Sequence, residues 1–118
     1  MSELFHFCCK HSAKDIGRYG IIVPIFNPGI GARLSWFTDD TTLSREALGL
    51  TMHTIKCDRM AFLYQILNVE SCEPFLTWAR RTGNPWVGRL IDDTKRPEHW
   101  FIAEQAVRAR QVRGAQRV

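Results

Sequence analysis

The sequence lacks several patterns that would assign its class at once. No window holds the roughly 20 consecutive apolar residues of a membrane helix, so we expect no membrane span. The N-terminal residues show no basic stretch followed by an apolar one, so we expect no secretory signal and a cytoplasmic location. Neither G-x-G-x-x-G nor G-x-x-x-x-G-K-[ST] occurs, which argues against a Rossmann or P-loop nucleotide site.

Cysteine occurs four times, but never with a C-x-x-C spacing. Cys8 and Cys9 are adjacent, so on a strand they would point to opposite faces. In a reducing compartment we expect buried thiols at these positions and at Cys57 and Cys72. A zinc site combining Cys8 or Cys9 with His11 and Cys57 has no paired-ligand spacing in its favour, so no metal is predicted.

Acidic residues are missing after Val107, and this changes how the net charge is interpreted. The 118 residues hold 16 Lys and Arg against 12 Asp and Glu, a formal charge of +4. The last eleven residues hold four arginines and no acid, so residues 1–107 carry 12 charges of each sign. We predict a neutral domain over 1–107 and a basic tail over 108–118, mobile or forming a short edge strand.

Short apolar runs outnumber helical patterns along the chain. Ser12 with Asp15 is a candidate N-cap of a helix ending at Gly20, and Ser71 is a candidate cap of a second helix over 73–81, ending at Gly83. A third, two-turn helix is predicted over 43–48. The pattern favours an α+β domain with a mixed, mainly antiparallel sheet. Strands are predicted over 4–9, 21–24, 34–38, 53–58, 60–67 and 100–107, the fourth and fifth as a hairpin or one bent strand.

His6 is the first residue that suggests chemistry. It lies between Phe5 and Phe7, and strand alternation puts it on one face with Leu4 and Cys8. Taken alone, a histidine in an apolar strand is more often a core residue with its hydrogen bonds satisfied than a ligand-binding group.

Three segments together give a family resemblance. The string L-F-H-F, a capped helix and G-I-I-V-P resemble the opening of the ADP-ribosyltransferase-like superfamily. Its histidine-containing branch includes poly(ADP-ribose) polymerases, DNA-modifying ADP-ribosyltransferase toxins and RNA 2′-phosphotransferases. The run L-S-W-F-T-D-D is similar to a strand written V-W-L-T-D in small bacterial and phage members, and W-F-I-A-E-Q-A-V is similar to the closing strand. The resemblance covers the chain except the tail and implies a split sheet.

The resemblance implies that NAD is the substrate and that its nicotinamide–ribose bond is broken through an oxocarbenium-like centre. It implies that His6 hydrogen-bonds a hydroxyl of the adenosine ribose. It also implies that an aromatic residue stacks on nicotinamide; alternation allows only one of Trp36 and Phe37 to do so, and we favour Trp36. Phe7 and Thr38 are expected beside the cofactor.

The resemblance also implies an acid on the closing strand, which would hold the reacting ribose and stabilise positive charge. In polymerase-like members this acid directly precedes an aromatic residue. In that register the residue before Trp100 is His99, which is not an acid, so the sequence departs here from the family's pattern. We favour Glu104 as the catalytic acid, with Glu98 as the alternative. If neither serves, the protein binds NAD or ADP-ribose without transferring it.

Arginines offer a different route, because RNA 2′-phosphotransferases use them instead of the acid. Arg33 and Arg59 are the candidates for bidentate phosphate contacts. Their ordinary alternatives are a solvated strand edge for Arg33 and an ion pair with Asp58 for Arg59. This activity is disfavoured, because such enzymes normally carry an additional N-terminal domain.

The sequence therefore supports two main functional hypotheses. The first is an NAD-dependent, toxin-like ADP-ribosyltransferase that passes ADP-ribose to a protein or nucleic-acid acceptor. The second is a non-catalytic phage or bacterial regulator that binds nucleic acid or an acidic protein through its basic tail. Four arginines motivate the second hypothesis: Arg108, Arg110, Arg113 and Arg117.

Overall fold

The computed structural model describes residues 3–27, 31–42, 62–83 and 97–113. Within these ranges the chain forms an α+β fold with a mainly antiparallel sheet and two short α-helices, which confirms the predicted fold class at this level. The elements are β1 (Phe5–Cys8), α1 (Lys10–Tyr19), β2 (Ile21–Ile22), β3 (Ile25–Asn27), β4 (Ala32–Thr38), β5 (Phe62–Ile66), β6 (Glu73–Pro74), α2 (Phe75–Thr82), β7 (Trp100–Ala103) and β8 (Val107–Arg113).

The sheet runs in the order β2-β8-β5-β1-β4-β7-β6, and β3 pairs with β4 outside this path. In the part of the chain that the structure describes, every strand pair is antiparallel. Among the described residues, 3-10 turns lie at Val69–Ser71, before β6, and at Pro97–His99, before β7. The two central strands are β1 and β4, which carry the L-F-H-F and W-F-T-D segments.

Of the described helices, α1 packs on one face of the sheet and α2 on the other, and we name the faces by these helices. On the α1 face, Ala13 and Ile16 pack into a core with Tyr64. On the α2 face, Phe75 and Trp78 pack into a second core, which includes Leu34 and Ile102. The side chains of a strand alternate between the faces, so each position of β1 and β4 belongs to one core or the other.

The helix α1 begins three residues earlier than predicted. Cys9 is at the N-cap position without a side-chain cap, and the amide of Ala13 donates to the carbonyl of Cys9 at 3.0 Å. The chain enters the helix directly from β1, so residue 12 lies inside it and the predicted Ser12 cap is wrong. The predicted end is confirmed, because Gly20 has φ 69° and its amide donates to Ile16.

The helix α2 begins later than predicted. Ser71 lies in the 3-10 turn Val69–Ser71 and does not cap α2, whose N-cap residue is Pro74. The predicted first turn is extended instead, because Glu73–Pro74 pairs with β7. Gly83 ends the helix with φ 60°, as predicted.

The predicted closing strand over 100–107 is two strands. After β7 the chain bends at residues 104–105, and β8 then runs between β2 and β5. The predicted boundary at 107 therefore falls at the first residue of β8, and residues 108–113 belong to the sheet. Val107 and Ala109 are buried and the intervening Arg108 is exposed, which is the alternation of a strand with one covered face.

Several predictions lie outside the described residues. They include the short helix over 43–48, the strand over 53–58, Cys57 and Arg59. Among the described helices, none has the length and apolar character needed to cross a membrane.

Candidate functional site

The central feature of the candidate site is a split between β1 and β4. Strand β1 pairs with β5 along its whole length, from Phe5 to Cys8. Its pairing with β4 is limited to one position, Phe5 opposite Thr38. The two central strands therefore separate just before His6.

The imidazole of His6 bridges this split. Its Nδ1 lies 2.8 Å from the carbonyl oxygen of Trp36, and the ring is partly buried. A carbonyl oxygen only accepts hydrogen bonds, so Nδ1 carries the proton of this bond. The neutral ring then has its lone pair on Nε2. The ring also meets Phe37 edge-on, with centroids 5.8 Å apart, and Phe37 is fully buried.

The register places the side chain of Trp36 on the opposite face from His6. Because Phe5 is opposite Thr38, His6 shares its face with Phe37 rather than with Trp36. The Trp36 ring packs on the α2 face, 5.1 Å from Phe75 and 6.0 Å from Trp100 between centroids. It is part of an aromatic core cluster.

Two other predicted cofactor residues also lie on the α2 face. Phe7 is buried in the core with Leu63, and the guanidinium of Arg113 lies 5.9 Å from the Phe7 ring centroid. Thr38 is buried, and its Oγ1 accepts a hydrogen bond from the Asp40 amide at 3.2 Å. The structure therefore does not bring His6 together with Phe7, Trp36 and Thr38 on one surface of the sheet.

Glu104 lies in the bend after β7, exposed and beside α2. Its Oε1 is 3.0 Å from Nη2 of Arg81, which also bonds Glu73. Hydrogen bonds to Glu73 and then to Glu104 raise the pKa of Arg81. The alternative acid, Glu98, is exposed in the turn Pro97–His99.

The predicted phosphate ligand Arg33 is exposed on β4, where Phe26 of β3 is its strand partner. Arg59, its predicted companion, lies outside the described residues, so the structure does not test the pair. The described cysteines are free thiols. Burial, with a smaller effect of Cys9, raises the pKa of Cys8 to about 12.

The structure also pairs two residues that sequence reasoning did not combine. Nδ1 of His99 lies 2.8 Å from Oδ1 of Asp39, with both side chains partly buried. The Asp39 amide also donates to the His99 carbonyl at 3.3 Å. Asp39 directly follows β4 and His99 directly precedes β7, so the pairing of Thr38 with Trp100 brings them together.

This Asp39–His99 pair lies close to His6 along the sheet. Phe37, which contacts the His6 ring, pairs with Phe101 on β7. Asp39 is two residues beyond Phe37 and His99 two residues before Phe101, a step of about 7 Å along the strands. The sequence shows an acid directly after one predicted strand, in Thr38-Asp39, and a histidine directly before another, in His99-Trp100. It does not show that these two segments pair antiparallel.

Within the described ranges, no group of three or more His, Cys, Asp or Glu side chains is arranged to hold a metal ion. No family model, curated protein or solved structure matches the chain.

Proposed function

We propose that the chain is an NAD-dependent ADP-ribosyltransferase-like enzyme with the split sheet of that superfamily. It would cleave the nicotinamide–ribose bond of NAD and pass ADP-ribose to an acceptor. The observation that carries this proposal is the position of His6, whose ring is held at the split between β1 and β4. The resemblance of L-F-H-F to the histidine-containing branch implies that a histidine at this position binds NAD.

The bond to Trp36 gives His6 a defined role in this proposal. With Nδ1 engaged by the Trp36 carbonyl, Nε2 is the atom that accepts a hydrogen bond from a ribose hydroxyl. Phe37 is fully buried and supports the ring from one edge. Trp36 and Thr38 stabilise the opposite core in this scheme and do not stack on nicotinamide.

The test compares two His6 variants in NAD binding and nicotinamide release. The Asn side chain of His6→Asn places an amide N–H near the position of Nδ1, so it can keep the bond to Trp36 while lacking Nε2. We expect His6→Asn to fold like the wild type and to weaken NAD binding at least tenfold, by isothermal titration. His6→Ala loses both interactions.

Lys14→Ala is the matched surface control, because Lys14 is exposed on α1. It should bind NAD and release nicotinamide at the wild-type level. A wild-type protein that neither binds NAD nor releases nicotinamide would refute the proposal. Wild-type NAD affinity in folded His6→Asn would remove the role given to His6.

A second candidate function has its own observation, a row of arginines on β8. The side chains of Arg108, Arg110 and Arg113 are exposed on a strand inside the sheet, and a register shift opposite β5 brings Arg113 to the face of Arg110. Nε and Nη2 of Arg110 donate to Oε1 of Gln65 at 3.0 and 2.6 Å, so this guanidinium is held against β5. A row of positive charges on an ordered strand can bind the phosphates of a nucleic acid. This is the second hypothesis of the sequence analysis, with the binding surface on a strand of the sheet instead of on a tail.

A further inference from the structure

We infer that His99, oriented by Asp39, is the general base that removes a proton from the acceptor; this inference rests on the proposed ADP-ribosyl transfer. The carboxylate of Asp39 accepts the Nδ1–H of His99 at 2.8 Å. That bond fixes the tautomer and directs the Nε2 lone pair away from Asp39. An imidazole so held can take up a proton at Nε2 while the carboxylate stabilises the resulting imidazolium.

The surrounding contacts hold the pair in place without enclosing it. The backbone bond from the Asp39 amide to the His99 carbonyl ties the end of β4 to the start of β7. Beyond Asp39, the Asp40 amide donates to Thr38 Oγ1, and the Asp40 carboxylate accepts from the Thr42 amide at 2.9 Å. The His99 side chain remains 30% exposed, so an acceptor can reach it.

The position of the Asp39–His99 pair suits a role different from that of His6. His6 contacts Phe37 of β4, and the Asp39–His99 pair lies just beyond the ends of β4 and β7, a step of about 7 Å along the strands from Phe37 and Phe101. His6 would hold the ribose hydroxyl, and His99 would face the attacking group. Glu104 lies at the other end of β7, bound to Arg81, and is not a neighbour of either histidine in the register.

In the proposed step, the bond from C1′ to nicotinamide is exchanged for a bond from C1′ to the acceptor. The C1′–N bond breaks and its electron pair leaves with neutral nicotinamide. An oxygen lone pair of the acceptor forms the new C1′–O bond, and the acceptor proton moves to Nε2 of His99, which later releases it to solvent. A carboxylate acceptor would need no base, so the pair points to a nucleophile that must give up a proton, and we assign it the O–H of a hydroxyl group or water.

Water is the probe for the first experiment, since it is an O–H nucleophile that needs no identified acceptor. We expect His99→Ala to lower kcat for NAD hydrolysis by about 10²- to 10⁴-fold with little change in KM. Added imidazole should restore part of the rate in His99→Ala, because it can enter the vacated space and act as the base. Methanol added to the wild type should divert part of the product to methyl ADP-ribose, as attack by a hydroxyl requires.

Asp39 is a positioning residue, tested by Asp39→Asn. We expect at least a tenfold loss in kcat, because the substitution removes the carboxylate that orients the imidazole and stabilises its charged form. The ¹⁵N spectrum of the His99 ring should move away from the Nδ1–H tautomer. Asp15→Asn, an exposed change of the same chemistry on α1, should leave rate and spectrum unchanged.

The outcomes separate this inference from the function on which it rests. If the wild type neither binds NAD nor releases nicotinamide, the proposed function and the inference both fail. If the wild type turns over while folded His99→Ala and Asp39→Asn keep its kcat, the inference fails and the function stands. If His99→Ala does not fold, His99→Gln and the Asp39→Asn tautomer spectrum decide.

Discussion

The ring of His6 hydrogen-bonds the Trp36 carbonyl at 2.8 Å, although the two side chains lie on opposite faces of the sheet. The contact joins a side chain of β1 to the backbone of β4 where these strands separate. It gives the Trp36 carbonyl a partner close to the point where strand pairing ends. His6 therefore has a structural role, and a variant that tests its function must keep the hydrogen bond to the Trp36 carbonyl.

This bond predicts different stabilities for two His6 variants. His6→Ala leaves the partly buried Trp36 carbonyl without its partner, and we expect it to lose about 1–3 kcal/mol of unfolding free energy. His6→Asn retains a donor near Nδ1 and should lose less. Urea unfolding monitored by tryptophan fluorescence measures both. Equal stability of His6→Ala and the wild type would show that the bond does not contribute.

The local features of this architecture could be predicted from the sequence. Alternation assigned His6 to the face of Leu4 and Cys8, and glycines marked the ends of both helices at Gly20 and Gly83. Each of these features depends on a few consecutive residues, through the geometry of the strand or the φ angle of one glycine.

The non-local part could not be predicted. Whether His6 shares a face with Trp36 or Phe37 depends on the register Phe5 to Thr38, and a shift of one residue reverses the answer. The Asp39–His99 pair depends on two segments 60 residues apart meeting in an antiparallel pair. The insertion of β8 between β2 and β5 likewise depends on topology.

The burial of Ala109 predicts that β8 is essential to the fold. Ala109→Asp places an unpaired carboxylate in the core beside Tyr64 and Val107, so we expect loss of cooperative unfolding or several kcal/mol of destabilisation. The neighbouring Arg108→Gln changes an exposed side chain and is the control. Thermal melts compare the two variants. A folded Ala109→Asp protein with wild-type stability would contradict the interior position of β8.

The arginine row predicts the salt dependence of nucleic-acid binding. If Arg108, Arg110 and Arg113 contact phosphates, each glutamine substitution should reduce the slope of log K against log salt by about 0.7 on single strands. Fluorescence anisotropy of a labelled oligonucleotide between 50 and 200 mM salt measures it. Arg80→Gln on α2, which is exposed, is the matched control. A slope that the triple variant leaves unchanged would exclude this surface.

The buried thiol of Cys8 predicts a loss of stability at alkaline pH. Burial raises its pKa from 9.0 to about 12, so the folded state keeps a proton that the unfolded chain releases. The stabilisation is complete below pH 9 and is lost as pH rises towards 12. The slope has an upper limit of about 1.4 kcal/mol per pH unit for one proton. Burial raises the pKa of Cys72 to about 11, which acts in the same direction.

The measurement is the unfolding free energy at pH 8, 9 and 10, for the wild type and Cys8→Ala. The variant loses packing, so its absolute stability is lower at every pH. Its slope with pH, however, should be shallower, because one shifted thiol is gone. Parallel slopes for the two proteins would contradict the raised pKa of Cys8.

Glu104 has two candidate roles, as an ion-pair partner of Arg81 and as the catalytic acid, and Glu104→Gln distinguishes them. The ion pair is exposed, with Glu104 54% accessible, so its loss should change stability only slightly. With His99 as the base, nicotinamide release by Glu104→Gln should stay within about threefold of the wild type, since that substitution changes a side chain at the opposite end of β7. Arg81→Gln removes the same contact from the other partner and should behave alike. A fall of about 100-fold or more in kcat for Glu104→Gln, with Arg81→Gln unaffected, would instead make Glu104 the acid that stabilises the transition state.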